Sequence, residues 1–209
     1  HNVNPRTPLW NKKIAATNFD PIDLKTYVPS PYTPYTSSTM VAQPPLQPTG
    51  ASRLCLSCHD GTLALGEVLR PTTGIAMTVA GGMPSTRPSY LGTGLSNHHP
   101  ISFSYYDALP NPIPQLFPVL PQGLLFYGNG VIQCSTCHDP HDNTNKKFLA
   151  RSNENSGLCT ICHLMNGWNG TPHSTAPSTW DQTTPNPWPR TGTGTDFGWT
   201  TVKQNGCEN

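Results

Sequence analysis

Apolar residues in this chain seldom recur at a helical or strand spacing for more than a few positions, because proline and glycine interrupt nearly every run. The clearest helical signal is short. Ser52 stands as an N-cap before a helix that runs through Cys55 and His59, and Gly61 follows as its stop. Gly and Thr then dominate to about Gly94. Ile101 to Tyr106 alternates as a brief strand, and the prolines from Pro110 to Pro121 forbid helix. Leu124 to Tyr127 and Val131 to Gln133 flank Gly128-Asn129-Gly130, which predicts a β-hairpin. Three regions result: a Pro/Thr/Tyr-rich arm at 1–50, a core at 51–175, and a Thr/Pro/Trp-rich tail at 176–209. The aromatic residues of the arm (Trp10, Phe19, Tyr27, Tyr32, Tyr35) suit a segment lying on another surface, and those of the tail (Trp180, Trp188, Trp199) suit covering plates or subunit contacts.

Composition adds a difficulty. Only 34% of the 209 residues are hydrophobic and 11% charged, with 24 prolines and 18 glycines, so an ordinary aliphatic core is thin. The net charge of +1 shows no basic excess, which argues against nucleic-acid and anionic-membrane partners. No apolar stretch is long enough for a transmembrane segment. The chain opens at His1 without a charged-then-apolar leader and is read as a mature, exported protein. Asn169-Gly170-Thr171 fits the glycosylation pattern but is read as a turn.

The cysteines resolve the difficulty. Six of the seven fall in three Cys-x-x-Cys-His strings: Cys55, Cys58 and His59; Cys134, Cys137 and His138; Cys159, Cys162 and His163. In such a string the two thiols form thioethers to haem and the histidine is the proximal iron ligand. Structural zinc needs such pairs to meet two at a time, a thioredoxin-like site needs one pair beside a βαβ unit, and a disulfide framework leaves the histidines unexplained. Three haems c are therefore the expected cofactors. The fold class follows: mostly irregular coil with few short helices and a small β-hairpin, wrapped around three covalent haems, whose apolar plates substitute for an aliphatic core. Because the second and third strings lie close in sequence, their haems are expected to stack. Haem attachment occurs outside the cytoplasmic membrane, so the expected location is extracellular or cell-surface, alternatively periplasmic.

Whether each iron has a sixth ligand decides between relaying electrons and binding substrate. Five histidines remain: His1, His98, His99, His141 and His173. Three are needed, so there are enough for bis-histidine ligation throughout. Axial ligands approach from opposite faces of the porphyrin, so His141 serves a different iron from His138, and adjacent His98 and His99 do not share one.

The strings CLSCHDGT, LSNHHPISF, CSTCHDPHDN and LCTICH resemble the doubled-CXXCH family of multihaem cytochromes over about Leu54 to Trp180. That resemblance implies His99, His141 and His173 as distal iron ligands. His98 departs from the family pattern, which often has an acidic residue there, and with His1 it is a secondary candidate for a distal or intersubunit ligand. The expected function is electron transfer, not enzymatic turnover, with other redox proteins or extracellular electron acceptors as partners. The long arms and spare histidines add the expectation of a homopolymer, a cytochrome filament, against a monomeric carrier. Three further readings rank lower: a reductase of a small nitrogen or sulfur species, an adhesive surface protein, and a copper site at His1. Cys207 is left over, for an intermolecular disulfide or a free thiol.

Overall fold

A computed structural model describes residues 32–62, 65–66, 73–76, 81–110, 115–164, 170–171 and 175. His1, His173, Cys207, Asn169, the tail tryptophans and the first 31 residues of the arm lie outside the described residues. The described chain is mostly coil. It carries β1 (Thr33–Pro34), α1 (Gly50–His59), β2 (Gly94–Leu95), α2 (Tyr105–Ala108), α3 (Cys134–Cys137) and a single 3-10 turn, Glu154–Ser156. Among the described residues no helix is long and apolar enough to cross a membrane. The chain divides into two units, His1–Ser104 with Val131–Cys134, and Tyr105–Gly130 with Ser135–Asn209.

In the first unit α1 buries Ser52, Leu56 and Ser57, one face of the helix at i, i+4 and i+5. Its N-cap is Thr49, in extended conformation, so the helix starts three residues before the expected Ser52 cap. Ser52 is instead inside the helix and fully buried, where its hydroxyl accepts the Cys134 amide at 2.9 Å. The stop at Gly61 holds: its φ of +76° suits glycine, and a Cβ there would stand 2.4 Å from the Tyr90 ring. Leu56 packs with Tyr32 and Leu95, and Leu91 and Ile101 lean on that cluster. β1 and β2 pair in parallel, Thr33 opposite Gly94 and Pro34 opposite Leu95.

The described sheet is this parallel pair, and the expected hairpin is corrected by the pairing of its second arm. Val131 stands antiparallel to Ser104. The Ser102 amide donates to Ile132 and the Ile132 amide to Phe103, at 2.7 and 3.0 Å. These bonds join the second arm to the segment before α2. The alternation from Ile101 also stops early, because Ser102 takes a φ of 66° and the chain enters α2 at Tyr105.

In the second unit Tyr105 is fully buried. Its ring meets Tyr106 and Phe126 edge-on at 6.4 and 6.0 Å. Its hydroxyl donates to the Phe117 carbonyl at 2.8 Å. Across the described residues eight apolar side chains, Pro44 and Pro48 among them, are buried against eight polar ones, so this polypeptide packs little apolar surface on itself.

Candidate haem-attachment sites

Each Cys-x-x-Cys-His string forms a helical turn. The first closes α1, and the cysteines of the second bound α3. In the third, the Cys162 and His163 amides both donate to the Cys159 carbonyl, at 3.2 and 3.0 Å. A helical turn places residues i and i+3 on one face, so both sulfurs of each string point the same way. None of these six cysteines is in a disulfide, and each is half-buried. Two thiols on one face, followed by an imidazole, fit covalent haem. Among the described residues no three His, Cys, Asp or Glu side chains converge as a metal cluster, so the thiols are not gathered into a tetrahedral zinc set.

Three imidazoles are oriented by backbone carbonyls. His59 Nδ1 lies 2.8 Å from the Ser89 carbonyl, His138 Nδ1 2.9 Å from Lys147, and His99 Nδ1 2.8 Å from Pro100. A carbonyl only accepts, so each Nδ1 is the donor in these bonds. Ligating histidines are set by this same kind of bond.

The Lys147 acceptor comes at a conformational cost. Lys146, Lys147 and Phe148 all adopt left-handed backbone, with φ of 53°, 45° and 58°. The bend is fixed from both sides: Asn143 Oδ1 accepts the Phe148 amide at 2.9 Å, and the Asp139 and Ala150 amides reach Phe148 and Cys137 at 2.7 and 2.9 Å. This left-handed run directs the Lys147 carbonyl onto the His138 imidazole.

His99 is exposed, with the chain packed near its ring. That partial burial lowers the pKa of its imidazole below the usual histidine range, against the opposing pull of the Pro100 carbonyl. The neutral imidazole is favoured. His98 is exposed, its amide on the Leu95 carbonyl at 3.0 Å. His141 is 91% exposed on a turn made by Asp139, whose carboxylate accepts the His141 amide at 2.9 Å.

The attachment cysteines approach one another across strings. Within the first unit, Cys55 and Cys134 lie close enough to perturb one another, Cys55 upward and Cys134 downward, the latter aided by Ser52. Within the second unit, burial followed by the neighbouring Cys137 pushes Cys162 up to about 11. Cys55 and Cys134 are therefore neighbours despite their distance in sequence.

Several supporting residues carry no signal in the sequence. Ser89 and Lys147 act through carbonyls, which every residue has. Asp60, buried at the end of α1, accepts Tyr32 Oη at 2.6 Å and the Thr62 amide and hydroxyl at 2.8 Å each.

A family model described as the doubled CXXCH motif matches residues 129–166, which hold the second and third strings. No curated protein matches the chain. The doubled motif is the covalent haem-binding element of c-type, cytochrome-like multihaem proteins, and haem-bound electron transfer is the activity that goes with it.

Proposed function

We propose that this chain is a trihaem c-type cytochrome that relays electrons through closely spaced bis-histidine haems and transforms no substrate. The observation that carries the reading is the repetition at Cys55–His59 of the same turn that the family motif marks at Cys134–His138 and Cys159–His163. When bound, the haem iron supplies one-electron chemistry near the potential set by its ligands and surroundings. The chain's part is to hold each proximal imidazole, to provide His99, His141 and His173 as distal ligands, and to space the groups. The scarcity of buried apolar side chains supports a polypeptide folded around large apolar cofactors.

The partners proposed are other redox proteins and extracellular electron acceptors, with the protein outside the cytoplasmic membrane. The Pro-rich arm and tail, with His1 and His98 spare, support a head-to-tail homopolymer in which a subunit lends a histidine to its neighbour. Electron microscopy of the secreted fraction tests this: filaments are expected, and monodisperse particles at high concentration reduce the proposal to a monomeric carrier. EPR of the ferric protein tests the closed ligation. Low-spin signals alone are expected, and a high-spin haem in the native protein would favour a reductase.

A further inference from the structure

Ser52, Gln133 and Ser102 form a buried polar cluster linking the first haem string to the approach of the second. Their exposures are 0%, 3% and 8%. Gln133 Oε1 accepts the Ser52 amide at 3.1 Å and the Ser102 hydroxyl at 3.2 Å. Its Nε2 donates to Thr49 Oγ1 at 3.3 Å. Ser102 Oγ in turn accepts the Thr49 amide at 2.9 Å, and Ser52 Oγ accepts the Cys134 amide at 2.9 Å.

Ser52 precedes Cys55 by one helical turn, so the two share a face of α1. Gln133 directly precedes Cys134. Two hydrogen bonds thus hold the attachment residue of the second string against the α1 face that carries the attachment residue of the first. Buried polar networks of this kind enforce one geometry, because a slipped register leaves several donors and acceptors unsatisfied at once. Apolar residues of similar volume would fill the space without that restriction.

We infer that Gln133 and Ser52 are positioning residues that set the distance and angle between the first and second haems, making these two a coupled pair in addition to the sequence-adjacent second and third. The inference rests on the proposal that each string carries a haem. It assigns to two side chains that are themselves neither attachment cysteines nor iron ligands the control of the contact through which an electron passes.

The test uses the intact holoprotein and the Soret circular dichroism couplet, which reports interaction between neighbouring haems and not their number. Gln133→Met and Ser52→Ala are each expected to keep three haems and an unchanged low-spin absorption spectrum. Their couplet is expected to fall to the level of a Cys55→Ala/Cys58→Ala protein, which lacks the first haem. Ser52→Thr, which retains the hydroxyl acceptor, is expected to restore it. An undiminished couplet in both single variants, with three haems present, overturns the inference and leaves the trihaem proposal standing. Loss of a haem in one variant leaves the other to decide, and loss in both overturns the inference by assigning these residues to attachment. Fewer than three haems in the unaltered protein defeats the trihaem proposal itself.

Discussion

Asp60 offers a direct measure of how the chain holds its first attachment turn. It is 2% exposed and Tyr32 4%, and the hydroxyl of Tyr32 donates to Asp60 Oδ2 at 2.6 Å across 28 residues. A hydrogen bond to a charged acceptor contributes about 1.5–3 kcal/mol. Tyr32→Phe removes that bond while keeping the ring in its cluster with Leu56 and Leu95. Asp60→Ala removes it together with the two bonds from Thr62, which is exposed and regains water, so its total cost is about 2–4 kcal/mol. The double variant should lose about 1.5–3 kcal/mol less than the sum of the singles. Guanidinium unfolding of the ferric holoprotein, followed by far-ultraviolet circular dichroism, measures all four corners of the cycle. A 2 kcal/mol loss moves the midpoint by about 0.5 M. If the two substitutions add to within about 0.5 kcal/mol, the bond does not couple the segment at Tyr32 to the first Cys-x-x-Cys-His turn and the reasoning fails.

Other outcomes follow from the same geometry. Gly61→Ala forces a Cβ to 2.4 Å from the Tyr90 ring at a φ of +76°, and a thermal melt should show a loss of about 2–4 kcal/mol. An unchanged melting temperature would contradict the close approach. Tyr105 is held up at about 12 from 10.0, chiefly by burial. Since the fold favours the neutral phenol, this stabilisation is complete below pH 10.0 and is lost as pH rises through about 12. Tyr105→Phe should therefore cost about 1 kcal/mol at neutral pH yet flatten the alkaline unfolding curve, and an unaltered curve would refute the assignment. His141→Ala should convert one haem to a high-spin, carbon monoxide-binding state and leave the others low-spin. A wholly low-spin spectrum would remove His141 from the ligand set.

The attachment turns were legible in the sequence because their chemistry is local: two thiols and an imidazole must share a single helical turn, and that requirement prints as Cys-x-x-Cys-His. The coil-rich character was legible for a related reason, since proline and glycine act where they stand. Pairing between distant segments was not. The glycines at 128 and 130 signalled a turn, but the partner of Val131 was chosen by Ser102, whose left-handed φ no serine advertises. Ser52 read as a cap because of its hydroxyl, and the structure spends that hydroxyl on Cys134, 82 residues away. Sequence spacing was likewise silent on the approach of Cys55 to Cys134. The carbonyls of Ser89, Lys147 and Pro100, which orient the imidazoles, belong to backbone conformation alone.

The central claim is that all three strings carry covalent haem. The intact mass of the purified protein under denaturing conditions tests it most directly, because noncovalent haem is lost and thioether-bound haem is kept. The account predicts the polypeptide plus three haems, with peptide mapping placing them at Cys55/Cys58, Cys134/Cys137 and Cys159/Cys162. The bare polypeptide mass, or a mapped string without haem, would contradict it.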